Sequence, residues 1–150
     1  MQSPSNPVVM RMGGNRRTLI VEDDGLLTIE IEQLLLQGGF AIAGVAADAA
    51  EAIRIARDLD PDWALVDLHL RDGLTGPNIG RRLVGSFHIP VLYVTADAQS
   101  APLEGVGIIG MFPKIYYGPD FIDVLKFVDA YLDGRHRQAV APKVLLRSRA

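Results

Sequence analysis

The chain has 150 residues, a net charge of −3 and no cysteine. That length fits one domain able to bury a core, and the absence of thiols excludes disulfides and thiolate metal sites. Apolar residues make up 49% and charged residues 22%, a globular composition, and no apolar run approaches the ~20 residues of a membrane span.

Residues 1–17 carry Arg11, Arg16 and Arg17 and no acid. With Pro4, Pro7, Gly13 and Gly14 and no apolar block, they read as a flexible tail and not as a secretory signal. Thr18–Glu22 is a buried strand. A helix follows from about Leu26 to Gln37, with Leu27, Ile31, Leu34 and Leu35 on one face. Gly38 and Gly39 stop it, since glycine takes the left-handed conformation at a helix end. Phe40–Ala46 is a second strand. Asp48 and Glu51 form a capping box, opening a helix that turns Ala49, Ala52, Ile53 and Ala56 inward.

Pro61 leads into a third strand, Trp63–Leu68, where Trp63 serves strand packing. Residues 71–76 form a loop, and Pro77 suits the first turn of the next helix, where its missing N–H goes unused. Ile79, Leu83 and Val84 give that helix its apolar side. Pro90 precedes a fourth strand, Val91–Thr95. Between Asp97 and Val106, Pro102 and Gly105 leave room for two or three helical turns at most. Gly107–Phe112 is a fifth strand ending at Pro113, a proline that fits an edge strand. The last helix, Asp120 to about Leu132, stripes Phe121, Val124, Leu125, Val128 and Leu132 and stops at Gly134. Residues 135–150 form a basic tail with five positive charges and no acid, so the body between the two tails carries −11. Lacking aromatic residues to stack on bases, that tail is a weak candidate for nucleic-acid contact.

Five alternations of strand and helix with short connections imply right-handed βαβ units and a parallel sheet covered on both faces. The expected fold is a flavodoxin-like, doubly wound (βα)5 sandwich with strand order 2-1-3-4-5. In such a sheet the carboxyl ends of the strands share one edge, where ligand chemistry gathers. Four polar residues stand at that edge: Asp23, Asp67, Thr95 and Lys114, each following an apolar run. Carboxylates, a hydroxyl and an ammonium together suit a divalent cation and a phosphoryl group. Each also has an ordinary reading, as a loop cap or a solvated side chain. Those readings do not explain why ionised groups end buried strands, where an unpaired charge is costly.

Glu22-Asp23-Asp24, Asp67, Thr95 and Lys114, in that order and spacing, resemble the receiver domain of two-component response regulators, over about Thr18 to Gly134. The resemblance implies that Asp67 is the phosphoacceptor. It also implies Mg2+ (Mn2+ as a substitute) on Asp23, Asp67 and the His69 backbone carbonyl, with Glu22 acting through water. Thr95 and Lys114 would bind phosphoryl oxygens, and Ala96 would leave the acyl phosphate accessible. The side chains of His69 and Asp97 would tune phosphate lifetime. His69, His88 and His136 show no metal-ligand spacing.

The chain departs from the family pattern in three places. Ile115 replaces the usual proline after the lysine, so a trans link is expected there. Met111 stands where an aromatic is common. Only 18 residues separate Thr95 from Lys114, so the fourth helix should be short or irregular.

The reading is a stand-alone, cytoplasmic receiver: residues 18–134, flanked by tails at 1–17 and 135–150. It would accept phosphate from a sensor histidine kinase or a histidine phosphotransfer protein. Output would be contact with a downstream protein, or phosphate draining, since the 16 residues after Gly134 are too few for a DNA-binding or enzymatic output domain. No separate enzymatic turnover is expected, and the assembly state is a monomer or weak homodimer. The alternative is a pseudo-receiver, a phosphorylation-independent interaction module on the same fold. A flavoprotein is disfavoured because acids, and not a glycine-rich phosphate loop, follow the first strand.

Overall fold

The computed structural model describes residues 14–96, 101–114 and 118–134 and the backbone of 143–144. Its elements are β1 (Arg17–Val21), α1 (Gly25–Gln37), β2 (Ala41–Ala46), α2 (Ala49–Leu59), β3 (Trp63–Val66), α3 (Gly76–Phe87), β4 (Val91–Thr95), β5 (Ile108–Pro113), α4 (Gly118–Leu132) and β6 (Lys143–Val144). The sheet is parallel throughout, in the order β2-β1-β3-β4-β5-β6. The expected 2-1-3-4-5 order is present. Its fifth strand, however, is not the edge: Gly110 and Met111 pair with Lys143 and Val144, a segment assigned from sequence to the basic tail. Pro113 is tolerated because it ends β5, beyond that pairing.

Two apolar layers sandwich the sheet. Leu19, Val21, Ala64, Val66 and Tyr93 pack with Ala52, Ile55, Ile79 and Leu83 of α2 and α3. On the other side, Ile20, Leu65, Leu92 and Val94 pack with Ile31 and Leu35 of α1 and Phe121, Leu125 and Val128 of α4. Alternate residues of each strand therefore serve opposite cores, and β3 and β4 are buried along their whole length. Trp63 is buried and its ring stacks obliquely on Phe40, with centroids 5.5 Å apart.

Helix ends follow local chemistry. Asp24 caps α1, its Oδ1 accepting from the N–H groups of Leu26 (3.0 Å) and Leu27 (3.2 Å). Gly39, at φ 86°, makes the left-handed exit from the same helix. Asp48 Oδ1 accepts from Glu51 N at 3.0 Å, while Glu51 Oε1 accepts from Ala47 N at 2.7 Å, one residue before the position the capping box predicts. In α2 Ile53 packs against the core while partly buried, and Ile55, missed from sequence, is the more deeply buried of the two. Gly44 of β2 leaves the space: a Cβ there would lie 3.1 Å from Ile55 Cδ1. Tyr131 is buried in α4, and Leu132 is only partly so. No helix occupies residues 101–107, in keeping with the short connection before β5.

Candidate functional site

The strand ladders continue one residue past their ends, and that extension places the polar groups. Glu22 N donates to Ala46 O (2.9 Å), Asp67 N to Val21 O (3.0 Å) and Lys114 N to Thr95 O (2.8 Å). Each backbone bond fixes the residue that follows an apolar run, so the carboxyl edge of β1, β3, β4 and β5 carries Glu22, Asp67, Thr95 and Lys114 together. Glu22, Asp67 and Thr95 are buried, whereas Asp23 is exposed.

Lys114 crosses the edge. Its Nζ donates to Asp67 Oδ2 at 2.8 Å and to Glu22 Oε2 at 3.3 Å. Glu22 Oε2 also accepts from Asp24 N at 3.0 Å. Burial, aided by the Asp67 charge, pushes the Glu22 carboxyl up to about 7, against the lowering effect of the Asp24 N–H and Lys114. For Lys114, burial alone would lower the pKa. The Asp67 hydrogen bond and the Glu22 and Asp67 charges outweigh it, so the ammonium is held above its ordinary value.

Ligand oxygens of Glu22, Asp23 and Asp67 lie within 4.8 Å of one another. Hard carboxylate oxygens at that separation fit a small divalent cation, which takes one or two carboxylates and keeps several waters. One ammonium against three carboxylates leaves negative charge for such a cation to balance. Mg2+ would be held by Asp23 and Asp67 with Glu22 beside them, and the same oxygen donors would suit Mn2+.

Among the remaining expected site residues, His69 and Ala96 are exposed next to the edge. Asp97, Ile115 and His136 lie outside the described residues. Sequence reasoning missed two features. Gly76 N donates to Leu68 O at 2.9 Å, and a Cβ on Gly76 would overlap the Asp67 carbonyl oxygen, so only glycine lets α3 sit this close to the Asp67 loop. Arg71 ties the same loop to α2 through Asp48 Oδ2, at 2.9 Å. The turn-rich segment 71–76 signalled a loop, but nothing in it signalled a close approach.

The response regulator receiver domain model matches residues 18–114, from the start of β1 to the edge lysine. The chain belongs to the response regulator receiver family. The receiver's curated relatives include the phyllosphere-induced regulator PhyR of Methylorubrum extorquens, 35% identical over 79 residues, which is 52% of this chain and 30% of that protein. The transcriptional regulatory protein PdtaR of Mycobacterium tuberculosis is 30% identical over 91 residues, 59% of this chain and 43% of PdtaR. The receiver thus spans less than half the length of either. Among solved structures, PhyR from Brucella abortus matches with a TM-score of 0.70 at 22% identity, over 87% of this chain and 54% of that one. The PhyR receiver domain of Erythrobacter litoralis matches at 0.66 with 24% identity, over 80% and 91%. At those identities the structural likeness bears on the fold, which is that of a receiver. Among the described residues no helix is long and apolar enough to cross a membrane.

Proposed function

We propose that this receiver accepts a phosphoryl group on Asp67 from a phosphohistidine of a sensor histidine kinase or a histidine phosphotransfer protein. The observation that carries the reading is the bridge from Lys114 Nζ to Asp67 Oδ2 and Glu22 Oε2, at the edge where the strands end. An Asp67 carboxylate oxygen attacks phosphorus, the P–O bond forms, and the P–N bond breaks with its electron pair leaving on the imidazole. The product is an aspartyl phosphate. Such a transfer is chiefly a matter of position and charge neutralisation. In this reading Lys114 follows the charge, releasing one Asp67 oxygen and donating to a phosphoryl oxygen. Thr95 supplies a hydroxyl for a second oxygen, and Ala96 keeps the approach open. Mg2+, when bound by Asp23, Asp67 and the His69 carbonyl, with Glu22 through water, supplies positive charge to the transferring group. Side chains at His69 and Asp97 tune access of the hydrolytic water that returns Asp67 to its free state.

The body of the receiver runs from β1 through α4, and Lys143–Val144 adds a strand beside β5. Its output is contact with a downstream protein or drainage of phosphate from a kinase, in the cytoplasm, without turnover of a separate substrate. Acetyl phosphate and Mg2+ test the reading: wild type should gain an acid- and base-labile phosphoryl group that Asp67→Asn does not. A wild type that stays unlabelled with both acetyl phosphate and phosphorylated kinase would favour the pseudo-receiver.

A further inference from the structure

Tyr93 is wholly buried on β4, and its hydroxyl has no hydrogen-bond partner among the described residues. Burial raises its pKa to about 12, so it is a neutral phenol. The ring is held by shape. A Cβ on Gly80 of α3 would overlap the hydroxyl oxygen and come within 2.7 Å of Cζ and 2.9 Å of Cε1. One helical turn earlier, on the same face of α3, Gly76 makes the corresponding close approach to the Asp67 carbonyl. A single turn of helix thus touches the Asp67 loop with one glycine and β4 with the other.

We propose that Tyr93, seated on Gly80, is a positioning residue that sets where β4 presents Thr95 relative to Asp67. The inference rests on the phosphoacceptor reading of Asp67. Tyr93 precedes Thr95 by two residues, so both side chains leave the strand on the same side. In register it lies between Val66 of β3 and Met111 of β5. On its helix side the ring meets backbone and has no slack. On its β5 neighbour's side it meets an unbranched methionine, which adapts readily. A pull on Thr95 toward a phosphoryl oxygen therefore works against the Tyr93–Gly80 seat, and the seat fixes how far the hydroxyl of Thr95 can travel. An interior packed at crystal-like density transmits such a displacement without absorbing it.

Tyr93→Phe, Gly80→Ala and the double variant test this in the full chain, with acetyl phosphate and saturating Mg2+. Tyr93→Phe should fold with a Tm at or above wild type, because it removes an unpaired buried hydroxyl. Its maximal phosphorylation rate should nevertheless fall about threefold or more, with the half-saturating donor concentration unchanged. Gly80→Ala should cost about tenfold or more by displacing the ring. The double variant should recover part of that loss, since removing the phenol oxygen takes away the closest overlap with the new methyl while Cζ and Cε1 still crowd it. Rates for Tyr93→Phe within twofold of wild type would overturn the proposal, as would a double variant no faster than Gly80→Ala. Should Gly80→Ala fail to fold, Tyr93→Phe decides alone. An unlabelled wild type would instead bring down the phosphoacceptor reading, and this inference with it.

Discussion

Lys114 Nζ lies 2.8 Å from Asp67 Oδ2 across 47 residues of sequence, and the same ammonium reaches Glu22. It is a direct cationic partner of two buried carboxylates, so it holds the edge together before any phosphoryl group arrives. The two carboxylates that repel one another, with the ammonium between them, are the groups that can handle a cation and a phosphoryl group.

Lys114→Ala should leave Asp67 and Glu22 without this donor. The lysine is partly exposed, which softens the penalty of a stranded charge, so a loss of about 1–3 kcal/mol is expected in metal-free buffer. Chemical denaturation with and without Mg2+ reads it, and the cation should restore part of the loss. Phosphotransfer to Asp67 should slow at the same time. Unchanged stability in metal-free buffer would mean that the bridge contributes nothing.

Asp23→Ala should weaken Mg2+ binding about tenfold or more, because an exposed carboxylate beside two buried ones supplies the open side of the cluster. Metal-free stability should hold or rise, since one negative charge leaves a repulsive group. Calorimetric titration with Mg2+ checks the first point and thermal unfolding in chelator the second. Equal Mg2+ affinity in both proteins would remove Asp23 from the metal site.

Glu22 gives a pH dependence with a definite sign. Its folded-state pKa is raised from 4.5 to about 7. The folded protein therefore binds more protons than the unfolded chain between those values, and stability falls as pH rises through that window. The contribution is on the order of a few kcal/mol, present in full below about pH 4.5 and lost above about pH 7. Glu22→Gln should flatten this part of the metal-free stability profile and gain most over wild type above pH 7. Parallel profiles for the two proteins from pH 4.5 to 8 would contradict it.

The fold was legible because each strand is a short apolar run, each helix carries a stripe, and glycine, proline or a capping acid marks nearly every boundary. The site was legible for the same reason: Asp67 and Lys114 stand out as charges ending buried runs. What stayed hidden depends on contacts across the chain. Ile55 joins Ile53 against the core, and more deeply, because Gly44, on another element, opens a space for it. Gly76 and Gly80 look like helix-weakening residues until the Asp67 carbonyl and the Tyr93 ring are seen against them. The pairing of Lys143–Val144 with β5 spans two residues, too short a run to show strand periodicity.

The central claim is that Asp67 takes the phosphoryl group. Peptide mapping of the intact chain after treatment with phosphorylated histidine kinase and Mg2+, with borohydride trapping of the acyl phosphate, tests it most directly. The label should map to Asp67, depend on the divalent cation, and be absent from Asp67→Asn, which should keep a cooperative unfolding transition because the change is nearly isosteric. Label on another residue, or equal labelling of Asp67→Asn, would contradict the account.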